Sequence, residues 1–251
     1  SPYSSNSAMA GNTLLVSPES LLADGLLNNL ELAELEIINH QFVDFETAAE
    51  IKNKLLKEAF KLFGKQNPLN TEHQNFIKKQ KHWLDDFSVY SAIKSSQNGL
   101  EWYNWPQNLK RRDENTLAQF IKNYHKEIEE VKFQQFIFSL QWHRLKNYAN
   151  SKKVEIIGDL PFYLDRDSAE VWSQPDFFLL DEELNPTMVA GVPPDYFNEK
   201  GQLWGMPIFN WSKMKRDNYN WWIKRLRSNI QLYDLVRLDH FRAFSAYWEI
   251  P

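Results

Sequence analysis

Two short β-branched runs, each ending in an aspartate, constrain this chain more than any other feature. The first is Val154-Glu155-Ile156-Ile157-Gly158-Asp159 and the second is Asp234-Leu235-Val236-Arg237-Leu238-Asp239. Between them lie a Pro- and Gly-punctuated stretch from Pro175 to Trp211 and a helical pattern over Tyr219 to Leu232, with Trp222, Leu226 and Ile230 on one face. Strand, long loop, helix and strand is the rhythm of parallel βαβ construction, in which the crossover is right-handed and the two strands lie side by side. The spacing therefore predicts adjacent parallel strands with Asp159 and Asp239 at the same end.

The first part of the chain reads differently. Residues 1–18 are rich in Ser, Asn, Gly and Pro and predict an irregular loop. Ala48, Ile51, Leu55, Ala59 and Leu62 recur every three or four residues, with Asp44 as N-cap and Gly64 as stop. A second helix is predicted from Thr71 towards Tyr90. A long helical region starts at Asn115 and runs through Ile128, Phe136, Leu140 and Leu145, with an interruption near Lys132. A closed eightfold barrel takes about 250 residues, but only two barrel-type strands stand out, both in the second half. From the pattern alone the fold is either a small sheet with a helical domain or part of a larger barrel; the abrupt Tyr247-Trp248-Glu249-Ile250-Pro251 end favours the second.

Composition narrows the function classes. With a net charge of -4 and no long basic run, neither nucleic acid nor an anionic membrane surface is an expected partner. No apolar run approaches the roughly 18 residues of a membrane span. The absence of cysteine removes disulfides, thiolate zinc sites and cysteine nucleophiles, and suits the cytoplasm. The six histidines lack metal-site spacing, and no nucleotide-binding or GxSxG motif occurs, so no metal or other cofactor is expected. Aromatic residues reach 15%, including ten Trp; flat faces of this kind stack on sugar rings, although for any single one burial in the core is the default.

The candidate chemistry sits at the strand ends. In α/β barrels the carboxyl ends of the strands form the active-site rim. Arg237 and Asp239 are two residues apart in a strand and share a face, so the guanidinium holds the carboxylate ionised, as a nucleophile requires. A structural ion pair and turn-forming aspartates are the competing explanations. The loop from Ala190 to Gly205 adds two prolines, three glycines and the aromatics Tyr196, Phe197 and Trp204, with Asp195 and Gln202 available for hydroxyl groups. Long ordered loops of this kind are commonly lids or binding loops.

Four blocks, in order, resemble glycoside hydrolase family 77, the amylomaltases and disproportionating enzymes: SPYSSNSAMAGN, IIGDLPFYLDRDSAEVW, GVPPDYFNEKGQLWGMPIFNW and VRLDHFRAFSAYWEIP. The resemblance implies part of a (β/α)8 TIM barrel, strands three and four, with a large helical insertion: residues 1–18 as a rim loop, 19–115 as the insertion and 116–251 as partial barrel. It implies Asp239 as nucleophile, Arg237 as its arginine, and Asp159 in the donor-sugar site. Tyr3, Asp195, Gln202 and Trp204 become substrate contacts, Tyr196 and Phe197 the loop tip near the acceptor, and His240 the histidine beside the nucleophile. Thr13 and Met206 depart from the family pattern, which has Pro and Asn there. The family's acid/base glutamate and its transition-state-stabilising aspartate belong beyond Pro251, so an internal fragment is expected. The implied activity is 4-α-glucan transfer between α-1,4-glucans or maltooligosaccharides by a retaining mechanism. An amylase-like hydrolase and a non-catalytic glucan binder are the alternatives.

Overall fold

The computed structural model describes residues 4–28, 43–66, 69–196 and 198–251. Helix α1 is Pro18–Ala23, entered through Ser17, whose hydroxyl accepts from Ser20 N–H at 3.0 Å, as an N-cap should. Helix α2, Phe45–Gln66, begins where Asp44 Oδ1 accepts from the amides of Glu46 and Thr47, both at 3.1 Å. Gly64 lies inside this helix and does not stop it. Helix α3 is Asn70–Ser96, followed by the broken stretch around Gly99, which has φ of +80°. Helix α4 is the single turn Gln107–Lys110, and α5, Glu114–Asn123, is capped by Asp113 rather than Asn115.

Helix α6 is His125–Ser151. The predicted break near Lys132 is instead at Tyr124, where Tyr124 stacks on Phe120 with centroids 4.2 Å apart. Lys132 is interior to α6, and its ammonium bridges Glu129 and Asp85 at 3.0 and 3.4 Å. A polar residue that reaches neighbouring carboxylates from a helix interior gives no reason for a break.

Strand β1 is Ile157–Leu160, one turn of helix α7 follows at Ala169–Ser173, and β2 is Val189–Val192. Strand β3 is Gln202–Pro207, α8 is Trp211–Arg216, α9 is Asn220–Leu232, β4 is Leu235–Leu238 and β5 is Trp248–Ile250. β1 and β4 pair in parallel, as expected, with Ile157 opposite Leu235 and Asp159 opposite Arg237. The two aspartates are at the same end, but staggered: Asp239 lies two residues beyond Arg237, and its N–H donates to Leu160 O at 3.0 Å. Within the Pro- and Gly-punctuated stretch from Pro175 to Trp211, read as a long loop, β2 and β3 form an antiparallel hairpin, and β5 adds to its other side in the order β3-β2-β5. Prolines and glycines concealed it: Pro193, Pro194 and Gly201 sit at the tip, and Gly191 is at a position with no room for a side chain.

Gly191 is one such position. A Cβ there would lie 2.5 Å from Gln202 O and 2.4 Å from Ile250 Cδ1, so a backbone atom of β3 and a side chain of β5 both obstruct it. Gly191→Ala is expected to lower stability by about 1–3 kcal/mol, the usual cost of forcing atoms into a packed site. Thermal unfolding followed by circular dichroism checks it; an unchanged midpoint would mean the hairpin is slack.

Two apolar cores form. One gathers Tyr90, Ile93, Trp102 and Trp105 with Leu160, Phe162, Trp172, Phe209, Trp221 and Trp222, and the other gathers Leu21, Leu26, Leu55, Leu56 and Phe63 with Phe133 and Ile137. The aromatic richness serves mainly the first. Trp222 Nε1 has no partner among the described residues, whereas two of the core's other buried indoles donate to backbone carbonyls, Trp172 Nε1 to Leu109 O at 3.0 Å and Trp105 Nε1 to Leu100 O at 2.8 Å. Such pairing lets Trp be buried without an orphaned donor. On α9 the buried stripe is Trp221, Trp222, Arg225 and Asn229, while Ile230 is exposed, contrary to the predicted face. Two polar residues with backbone acceptors take the interior, which an apolar count cannot reveal.

Candidate active site

Alternation along the parallel pair divides its side chains. Leu160 faces the first core, with Val236 and Leu238 packed against it, and Gly158 is buried against Tyr233, whereas Asp159 and Arg237 lie on the open face. There Arg237 grips Asp159 with two parallel bonds, Nε to Oδ1 at 2.9 Å and Nη2 to Oδ2 at 2.7 Å. Nη2 also donates to Asp239 Oδ1 at 3.0 Å. The planar fork thus closes on the neighbouring strand's carboxylate, and Asp239 takes a single bond from it. One oxygen of Asp239 is held by the Arg237 guanidinium.

Beyond Asp239 the chain turns sharply. His240 adopts the left-handed conformation, with φ of 47°, and its carbonyl starts a 3-10 turn by accepting from Ala243 N–H at 2.8 Å. This reversal directs the imidazole to the hairpin, where its ring meets Trp204 edge-on at 5.3 Å and Tyr163 at 6.3 Å. Trp204 is half-buried and donates through Nε1 to Gln202 Oε1 at 2.9 Å. A cavity of about 590 Å³ lies over these groups, lined by Asp239, His240, Gln202, Trp204, Tyr163 and Phe162 together with Ser4, Pro161, Leu203 and Met206. Among the described residues that line it, Asp239 is the only carboxylate. Burial, reinforced by Tyr247 and Glu249, pushes the Tyr163 hydroxyl well above its ordinary range, so it stays a protonated donor.

Of the residues singled out from sequence, Asp239, His240, Gln202 and Trp204 come together at the cavity, with Arg237 donating to both Asp239 and Asp159 beside it. Asp195 and Tyr196 stand at the hairpin tip, outside the cavity lining. There Asp195 Oδ1 accepts from Asn198 N–H at 2.8 Å, and Tyr196 is 97% exposed. Tyr3 and Phe197 lie outside the described residues. Sequence reasoning passed over Phe162 and Tyr163. Their position immediately after a strand that ends at the rim was the available signal, hidden by their being read as ordinary core aromatics.

Trp204→Ala removes the largest flat wall of the cavity, beside His240. A sugar that stacks there loses about 1–3 kcal/mol of contact of the kind aromatic faces provide. The expected result, should the cavity take a sugar as the resemblance implies, is a roughly tenfold or greater weakening of its binding to the folded variant; unchanged binding would make Trp204 a packing residue only.

Residues 1–251 match the family model described as 4-alpha-glucanotransferase, glycoside hydrolase family 77. The chain is 42% identical to the 4-alpha-glucanotransferase of Aquifex aeolicus (strain VF5), with 100% of this chain and 50% of that protein covered. It is 40% identical to the chloroplastic/amyloplastic 4-alpha-glucanotransferase of Solanum tuberosum, covering 100% of this chain and 44% of that protein. In structure it is similar to the amylomaltase from Streptococcus agalactiae in complex with acarbose, with a TM-score of 0.93 and 38% identity over 100% of this chain and 51% of the other. The amylomaltase from Corynebacterium glutamicum shares the fold, with a TM-score of 0.71 at 16% identity over 100% of this chain and 34% of that one. The chain spans about half the length of the curated relatives it matches. No helix of the described residues is long and apolar enough to cross a membrane.

Proposed function

Because this chain belongs to the 4-α-glucanotransferases of glycoside hydrolase family 77, we propose that it carries the nucleophile half of a retaining glucan-transfer site. The observation that carries this reading is Asp239: a carboxylate fixed by Arg237, lining a cavity walled by Trp204, Tyr163 and Phe162. In the first step an Asp239 oxygen attacks the anomeric carbon of an α-1,4-linked glucose. The C1–O bond to the leaving chain breaks, a glycosyl ester forms, and an acid protonates the departing oxygen. In the second step the 4-hydroxyl of an acceptor glucan attacks the same carbon, the ester breaks, and the proton returns to that acid/base group. Retaining enzymes place the two carboxyl groups about 5–5.5 Å apart. The cavity lining described here supplies one of them, and the family resemblance places the other on a later strand.

Within this reading β1 and β4 are strands three and four of a (β/α)8 barrel. Residues 1–18 contribute to its rim, 19–115 form a helical insertion and 116–251 the partial barrel. Asp159 holds a donor-sugar hydroxyl, and Gln202 and Trp204 bind the glucan, with Asp195, Tyr196 and the Tyr3 and Phe197 positions extending the contact. The substrates are α-1,4-glucans and maltooligosaccharides, as in maltose, starch or glycogen metabolism, and no cofactor takes part. The cysteine-free composition supports a cytoplasmic location.

The test uses this chain within a protein of its relatives' full length. A 5-fluoroglycosyl donor is added, the protein is digested, and the labelled peptide is identified by mass spectrometry. The label is expected on the peptide with Val236-Arg237-Leu238-Asp239-His240; a label on Asp159 or Asp195 sinks the assignment. Incubation with maltotriose separates the activities: a ladder of longer oligosaccharides is transfer, glucose release without a ladder is hydrolysis, and binding without turnover is a glucan-binding module.

A further inference from the structure

Two charged side chains that are not themselves in the cavity lining lie buried beside it. Arg225 on α9 is 2% exposed and Glu170 on α7 is 6% exposed. Burial of an ion is costly unless it is paired or bonded, so each must hold something. Arg225 Nη1 donates to Phe162 O at 2.8 Å and Nη2 to Pro161 O, two successive carbonyls of the turn that leaves β1. Its guanidinium also lies 5.0 Å from the ring of Trp222. Glu170 Oε1 accepts from Ser7 Oγ at 2.6 Å, and that hydroxyl in turn accepts from the amides of Met9 and Ala10 at 3.0 and 3.1 Å. Beside it, Ala169 N–H donates to Asn6 O at 2.9 Å. Burial pushes the Glu170 carboxyl up and the Arg225 guanidinium down, and the opposite charge of each offsets that shift only in part.

Each tether thus ends on a segment that lines the cavity: Arg225 on Pro161 and Phe162, next to Tyr163, and Glu170 on the segment that begins with Ser4. We infer that Arg225 and Glu170 are positioning residues that fix the two backbone walls of the sugar cavity relative to Asp239. The inference rests on the glucan-transfer reading for its consequence in catalysis, but not for the tethers themselves. A guanidinium suits the task, since its rigid fork reaches two neighbouring carbonyls at once; an ammonium is a single point charge. Misplacing a wall by about 1 Å costs on the order of 100-fold in rate.

The variants are Arg225→Lys, Glu170→Gln and, as a destabilised control in the other core, Leu56→Ala, made in a protein of the relatives' full length. Two readouts are taken well below the melting temperature: kcat and KM for maltotriose transfer, and hydrogen exchange of residues 159–168 and 4–10. Arg225→Lys is expected to lower kcat roughly 10- to 100-fold, with KM changing less, and to speed exchange in 159–168 on the order of tenfold. Glu170→Gln, which keeps an acceptor for Ser7 but loses the charge, should speed exchange in 4–10 and lower kcat less. Leu56→Ala should reduce stability and leave kcat and both segments' exchange unaltered. Unchanged exchange in both segments overturns the tethers, whatever the activity. Faster exchange with unaltered kcat, or an equal loss of kcat in Leu56→Ala, overturns the positioning role. A parent protein that forms no oligosaccharide ladder defeats the transfer reading instead, and the exchange result still decides the tethers.

Discussion

Asp239→Asn, in a protein of the relatives' full length, is expected to lower glucan disproportionation on the order of 10⁴-fold while leaving the fold intact. The substitution keeps the size of the side chain and its capacity to accept from Arg237 Nη2, 3.0 Å away, but an amide oxygen cannot form the glycosyl ester. Losses of several orders of magnitude are usual when a nucleophile is removed and the remaining groups still bind and polarise the substrate. Stability should barely change, because the Asp239 side chain is 36% exposed and such ion pairs contribute about 0–1 kcal/mol. The measurement is the initial rate of ladder formation from maltotriose against the parent, with melting curves in parallel. A loss of less than tenfold would remove Asp239 from the role of nucleophile.

The second large effect is expected at Arg237. Its side chain is 60% exposed, and it contacts Asp159 and Asp239 together. Arg237→Met leaves two carboxylates on one face without their shared cation. The stability cost again stays near 1 kcal/mol or below. The activity cost should be roughly 100- to 1000-fold, since Asp239 loses the hydrogen bond that orients it and the positive charge beside it. Arg237→Lys should fall between Met and the parent: it restores the charge but not the two parallel bonds to Asp159. Because the fork closes on Asp159 and not on Asp239, Lys is expected to harm sugar placement, seen as KM, more than attack, seen as kcat. Equal activity of the Met and Lys variants would show that the charge has no part.

What could be read in the sequence follows from how local each signal is. The parallel pair was legible because both strands are short β-branched runs and the intervening helix fixes their direction. Arg237 and Asp239 share a face by period alone. The grip of Arg237 on Asp159 was not legible, since it depends on a register between strands that no single segment specifies: Asp159 stands opposite Arg237, not opposite Asp239. The hairpin was missed for a related reason. Gly191 and Gly201 read as flexible loop residues, yet Gly191 is there because β3 and β5 leave no space for a Cβ. The tether residues escaped altogether: Arg225 interrupts the apolar pattern of α9, and only its bonds to the Pro161 and Phe162 carbonyls explain why it points inward.

The pairing of β1 with β4 also sets an order of events in time. Its partners, such as Asp159 and Arg237, are 78 residues apart in the chain. Closing a loop of that length costs entropy before any contact returns it, whereas α2, α3 and α6 are built from contacts a few residues apart. Helices of this length form within about a microsecond, and distant strand pairs assemble far later. The face that joins Asp159, Arg237 and Asp239 therefore cannot exist in any partly formed chain that lacks the crossover.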